Sequence, residues 1–205
     1  MRLPWMSRSD SRAWRSATTV ADLGLLTARW LEGDLRSQAG YAPGYGPDDE
    51  TAELVPTLAA VNRAGYLTDA SQPGFNGAGY DGARWRQRAA VQGYIADLDL
   101  LDRIRSAADD ADLLVVAHRP DTPPGWPSWA AVTLRENEIA TAFGEKVRGR
   151  DLRASWAGVS DAAHRSLVAA HQLTLVDPEY GRNDVLWPLL DQLINRIPPR
   201  IQTGV

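Results

Sequence analysis

With 205 residues, 44% of them hydrophobic, the chain is long enough to bury a full core and is read as one domain. Its formal net charge is −4, and because the first fifteen residues carry four arginines against one aspartate, the remainder is more acidic still, which argues against a body built to neutralise nucleic-acid phosphates. Cysteine is absent, removing disulfides and thiolate chemistry and fitting a reducing, cytoplasmic setting, while the longest apolar run, residues 113–117, is too short to span a bilayer.

Residues 1–15 mix Arg and Ser with Trp5 and Trp14 without a sustained period, so they read as a flexible basic arm, dispensable for folding, ahead of a single domain over 16–205. No apolar segment of a secretion signal follows them. Thr19 with Asp22 forms a capping-box pattern, and Val20, Leu23, Leu26 and Trp30 recur at helical spacing. Residues 39–49 hold Gly, Pro and Tyr without periodicity and read as a loop. Leu54, Leu58 and Val61 predict a second helix that tolerates Pro56 in its first turn and stops at Gly65. A short strand follows over 66–69. The segment 74–82 then carries four glycines in nine residues, the composition of a binding loop or an unliganded surface loop.

Residues 89–95 satisfy both strand and helix templates and are read as a strand. Leu98, Leu101, Ile104 and Ala108 mark a helix, and 113–117 a strand of the kind buried on both faces of a parallel sheet, so that strand, helix and strand predict a βαβ unit. Four prolines make 119–128 an irregular connection. Another strand is expected over 130–135, whereas 137–153 shows no clear pattern. Ser160 caps a helix, 173–176 forms a strand ending at Asp177, and Asn183 or Asp184 opens a last helix through Leu186, Leu189, Leu190 and Leu193. These elements predict an α/β or α+β domain with a mixed, partly parallel sheet of about five strands and helices packed over it.

Ser71, His118 and Asp177 fall at or just past predicted strand ends, the edge where open α/β sheets bind ligands. Together they would supply a nucleophile, a base and an orienting carboxylate. Against a triad, no Gly-x-Ser-x-Gly elbow is present, and each residue also fits a turn, a strand end or a helix entry. Arg88 beside Gln87 and Arg182 beside Asn183, with Gln72 nearby, suit a phosphate or carboxylate; the alternative is arginines that fix loops or pair with Asp184. His164 and His171 lack further ligands, Asp97, Asp99 and Asp102 suit a helix N-terminus, and no phosphate loop, dinucleotide fingerprint or calcium loop is present. No metal and no cofactor is therefore expected.

Two runs stand out: Asn62-Arg63-Ala64-Gly65-Tyr66-Leu67-Thr68-Asp69-Ala70-Ser71-Gln72-Pro73-Gly74 with Gln87-Arg88, and Leu175-Val176-Asp177-Pro178-Glu179-Tyr180-Gly181-Arg182-Asn183-Asp184-Val185-Leu186-Trp187-Pro188. They resemble those of an uncharacterised family of actinobacteria and their mobile elements, a domain of unknown function. The resemblance implies a source class and no activity. The residues themselves point to a soluble protein that binds a small anionic or nucleotide-like molecule and hydrolyses or transfers part of it. The alternative is a non-catalytic interaction protein, such as a plasmid or phage accessory factor, with a protein partner and no membrane partner. Whether the chain is an enzyme is left open by its sequence.

Overall fold

The computed structural model describes residues 6–39, 46–125 and 128–195. The first helix, α1 (Arg8–Ser16), is capped by Ser7, whose hydroxyl accepts from the Asp10 amide. Trp14 is 0% exposed, donates its indole N–H to the Ser37 carbonyl at 2.8 Å and lies 6.3 Å from the ring of Trp156. A flexible arm over 1–15 therefore does not describe residues 6–15, which are part of the packed domain; Trp5 lies outside the described residues.

Local chemistry sets the next elements. The Thr19–Asp22 capping box starts α2 (Val20–Leu31). A short 3-10 turn (Asp49–Leu54) leads into α3 (Val55–Ala64), which carries Pro56 in its first turn and ends at Gly65, φ 108°. Asp97 caps α4 (Leu98–Asp110) and Ser160 caps α6 (Asp161–Val168), which follows α5 (Gly149–Ser155). The chain's last described helix is α7 (Leu186–Asn195).

The strands are β1 (Tyr66–Gln72), β2 (Phe75–Ala78), β3 (Arg84–Ile95), β4 (Leu114–His118), β5 (Ala130–Arg135), β6 (Glu138–Phe143) and β7 (His171–Tyr180). They form one seven-stranded sheet in the order β4-β7-β3-β5-β6, with β1 and β2 also on β3, and every pair is antiparallel. The expected partly parallel sheet of five strands is thus overturned. Strands β3 and β4 do run the same way across α4, but β7 inserts between them and pairs with both. β4 is an edge strand, with Leu114 41% exposed, and is not the doubly covered strand its apolar run suggested.

Alternation along β3 and β7 separates two buried faces. Val91, Leu173 and Leu175 join the main core with Leu23, Leu58 and Leu186 from the helices. On the far face Ala90, Val132 and Val176 form a smaller cluster. Beside it, amides satisfy the irregular chain that follows β6: Gln92 Oε1 accepts from the Gly144 amide at 2.8 Å, Gln172 Oε1 from the Val147 amide at 3.0 Å, and Gln172 Nε2 donates to the Glu145 carbonyl at 2.7 Å. No helix among the described residues is long and apolar enough to cross a membrane.

Candidate functional site

The corner from α3 into β1 is fixed by Asn62, which is 0% exposed. Its Nδ2 donates to the Leu58 carbonyl at 2.8 Å and to Thr68 Oγ1 at 2.7 Å, and its Oδ1 accepts from the Thr68 amide at 3.0 Å. Immediately beyond, the pairing with β3 steps from Thr68↔Gly93 to Ala70↔Gln92, leaving Asp69 as an extra residue in β1. An inserted residue of this kind bends the strand and re-aims its side chain. Gly93 makes the bulge possible, because a Cβ there would stand 2.0 Å from the Leu67 carbonyl oxygen.

Asp69 lines a recess of about 220 Å³ with Thr27, Trp30, Asp48, Thr68 and Ser71. Burial pushes its carboxyl up to about 6. As a whole residue Asp69 is nevertheless exposed. The two observations agree for a carboxyl in a concavity, surrounded by protein on most sides and wetted through the mouth, so its desolvation is partial. Asp69 has no hydrogen-bond or ion-pair partner among the described residues, in contrast to Asp177, Asp81 and Asp22. Thr27 is 2% exposed and its hydroxyl is buried without a partner, although helical threonines commonly bond a carbonyl one turn back. The buried Tyr94 hydroxyl also lacks a partner, and burial together with the negative charge of Asp69 raises its pKa. A carboxyl titrating near 6 can hold a cation when ionised or move a proton close to neutral pH.

Of the residues singled out from sequence, only Ser71 lines this recess. The triad is not assembled. Ser71 stands in a row with Val91, Leu175 and Val115, and His118 in a row with Gln172, Tyr94 and Leu67. Three strand spacings separate β1 from β4, roughly 14 Å at about 4.8 Å each. His118 is 2% exposed and its Nε2 lies 2.6 Å from the Gly144 carbonyl oxygen. Asp177, 0% exposed, receives Arg182 Nε at 2.8 Å and Arg182 Nη2 at 2.8 Å on its two oxygens.

The anion-binding pairs are likewise engaged in structure. Arg182 bonds Asp177 and, through Nη1, Glu179 at 2.8 Å. Arg88 donates to the Ala131 carbonyl at 3.1 Å and lies 4.4 Å from the Tyr180 ring centroid, its Nε buried without a partner. Gln72 bonds the Arg88 and Val132 carbonyls and Thr133, while the Gln87 carbonyl accepts from the Gly181 amide. Asn183 clasps Gly74 from both sides, its Oδ1 accepting from the amide at 2.7 Å and its Nδ2 donating to the carbonyl at 2.9 Å. A Cβ on Gly74 would meet the Arg182 carbonyl oxygen at 2.5 Å. The two notable runs therefore meet through a structural clasp. His164 sits in α6 and His171 opens β7, and no group of three or more metal-ligating His, Cys, Asp or Glu occurs among the described residues.

None of Asp69, Thr27, Asp48 and Trp30 is singled out as a site residue by the sequence, where Trp30 reads as a helix-face residue and Asp69 as one position in a longer run. Two signals could have found the first: an aspartate inside a β-prone run, and a glycine at 93 within an apolar one, the mark of a bulge or close backbone approach.

Fold and recess together define an α+β domain, with an antiparallel sheet, that carries a small acidic concavity at a sheet edge. The chain belongs to the family described as Domain of unknown function (DUF6919), which matches residues 9–196. A search of curated proteins finds no match.

Proposed function

We propose that this protein binds a small polar molecule in the recess beside Asp69, with the Asp69 carboxylate as its anchor. The observation that carries this is the bulged, partnerless carboxyl raised to about 6 within a cavity whose Thr27 hydroxyl is also unpartnered. A buried polar group normally finds a partner within the fold; the Thr27 hydroxyl does not, and the Asp69 carboxyl in the same concavity, open through its mouth, has none either, which describes a place for a ligand to complete. The cavity is smaller than the roughly 300–1,000 Å³ of drug-sized sites and suits a molecule of amino-acid or nucleobase size. An anionic ligand is disfavoured, because Arg182 is spent on Asp177 and Glu179 and Arg88 packs on Tyr180. Should the bound molecule be hydrolysed or transferred, the lining offers hydroxyls, Ser71 among them, as nucleophile and the carboxylates of Asp69 and Asp48 as base.

For the non-catalytic interaction role, Trp14, Trp156 and Trp187 are buried in the core, whereas Trp129 is exposed and could meet a partner. The cytoplasmic setting rests on the absence of cysteine, and an actinobacterial or mobile-element source on the resemblance of the two runs. The test is a ligand-observed NMR screen of polar fragments against the wild type and against Ser71→Trp, which fills the recess. Hits abolished by Ser71→Trp support the assignment; hits that persist in a folded Ser71→Trp protein, or no hits at all, refute it.

A further inference from the structure

The recess has a distinctive charge balance. Its described lining includes Asp48 and Asp69 and no lysine, arginine or histidine. Carboxylates in a concavity with low-dielectric walls focus a negative potential at its mouth. Asp69 is also the group in the recess whose charge the fold does not answer: Asp177 has Arg182 and Asp81 has Arg135, whereas Asp69 has neither a cation nor a donor among the described residues. Standing in the lining and open through its mouth, the Asp69 carboxylate is placed to meet a cation that enters the recess. Thr27 supplies an independent sign of an absent guest, being 2% exposed with a hydroxyl that bonds nothing. A divalent ion fits less well, because hard cations take six or more oxygen ligands and no group of three or more acidic or histidine ligands is present among the described residues.

We infer that the molecule held in this recess carries a protonated amine, its ammonium set against the Asp69 carboxylate and its remaining hydrogen-bonding groups met by Thr27 and the neighbouring hydroxyls. This rests on the recess being a ligand site. The amine N–H groups donate to the carboxylate, as in a charge-assisted pair, and Asp48 adds a second negative charge to the same lining. Trp30, 7% exposed in the lining, offers an apolar wall for the amine's carbon skeleton.

Three probes of nearly equal volume separate charge from shape: benzylamine, benzyl alcohol and benzoate, each titrated into ¹⁵N-labelled full-length protein and followed at the amides of Thr27, Thr68, Asp69 and Ser71. The amine should bind roughly tenfold or more tightly than the alcohol, with benzoate weakest, as expected when a hydrogen bond gains a charge. Asp69→Asn should remove that preference, the amine losing far more affinity than the alcohol. Thr27→Val, close in size and on a helix face, should weaken the amine by a smaller factor while retaining the preference. Benzyl alcohol or benzoate binding as tightly as benzylamine overturns the amine assignment and leaves the recess as a site. An Asp69→Asn protein that keeps the preference overturns it too, as does Ca²⁺ shifting the same amides in place of benzylamine. Failure of all three probes overturns the amine assignment, and the fragment screen then decides separately whether the recess binds anything.

Discussion

Replacing Asp69 by Asn removes a carboxylate that the fold holds at a disadvantage, so the variant should be more stable than the wild type at neutral pH and not less. The carboxyl is displaced from 3.8 to about 6 by burial. That displacement corresponds to about 3 kcal/mol if solvent were excluded. Because the residue is exposed through the mouth of the recess, screening reduces it, and we expect about 1–2 kcal/mol. The sign follows from proton binding. Between the unfolded and folded values the native state holds the proton more tightly, so wild-type stability is greatest below 3.8 and is lost as pH rises through about 6. The advantage of Asp69→Asn should therefore be full above about pH 7 and vanish towards about pH 4. Urea unfolding of both proteins across that range measures it. A variant less stable than the wild type at neutral pH, or a gap that does not change with pH, would refute the placement of Asp69 in a desolvated recess.

Gly93→Ala places a Cβ 2.0 Å from the Leu67 carbonyl oxygen, a backbone atom that cannot swing aside, and should cost at least about 3 kcal/mol in urea unfolding while abolishing fragment binding. Arg182→Met leaves the fully buried Asp177 carboxylate without its bidentate partner and should lower the urea midpoint clearly, whereas Arg29→Met, which breaks an exposed pair with Asp34, should leave it nearly unchanged. Trp14→Ala should cost about 3–5 kcal/mol, and a chain starting at Ser16 should lose its cooperative thermal transition; unchanged transitions would restore a detachable arm.

What could be read from sequence was what local chemistry decides. Thr19 with Asp22, Gly65 and Ser160 cap the helices they were expected to cap, and Asp97, expected at the N-terminus of its helix, caps it, because a cap is settled within four residues. Sheet partners are settled at a distance. Leu113 to Ala117 look like a buried parallel strand, yet the strand that forms there, β4, has β7 as its neighbour, contributed by residues more than fifty positions later and running the other way. Helix α1 was missed because its one large apolar side chain, Trp14, finds its place against Trp156 and not within its own segment. At the candidate site, residue types were legible and partners were not: Arg182 was expected to hold an anion and does so, but the anion is Asp177 of the same chain. Asn183 or Asp184 was expected to cap α7, and Asn183 instead holds Gly74, 109 positions away. Asp69 went unnoticed because its significance lies in a change of pairing register opposite Gly93, which no periodicity along β1 reveals.

Carbon-detected NMR titration of the Asp69 side-chain carboxyl, with and without benzylamine, bears most directly on the recess. The structure predicts a midpoint at about 6 in the free protein, well above the ordinary 3.8, and a fall towards the ordinary value when the amine is bound, since the cation favours the ionised form. A midpoint near 3.8 that the amine leaves unmoved would mean that Asp69 is a solvated edge carboxylate and that the recess binds nothing through it.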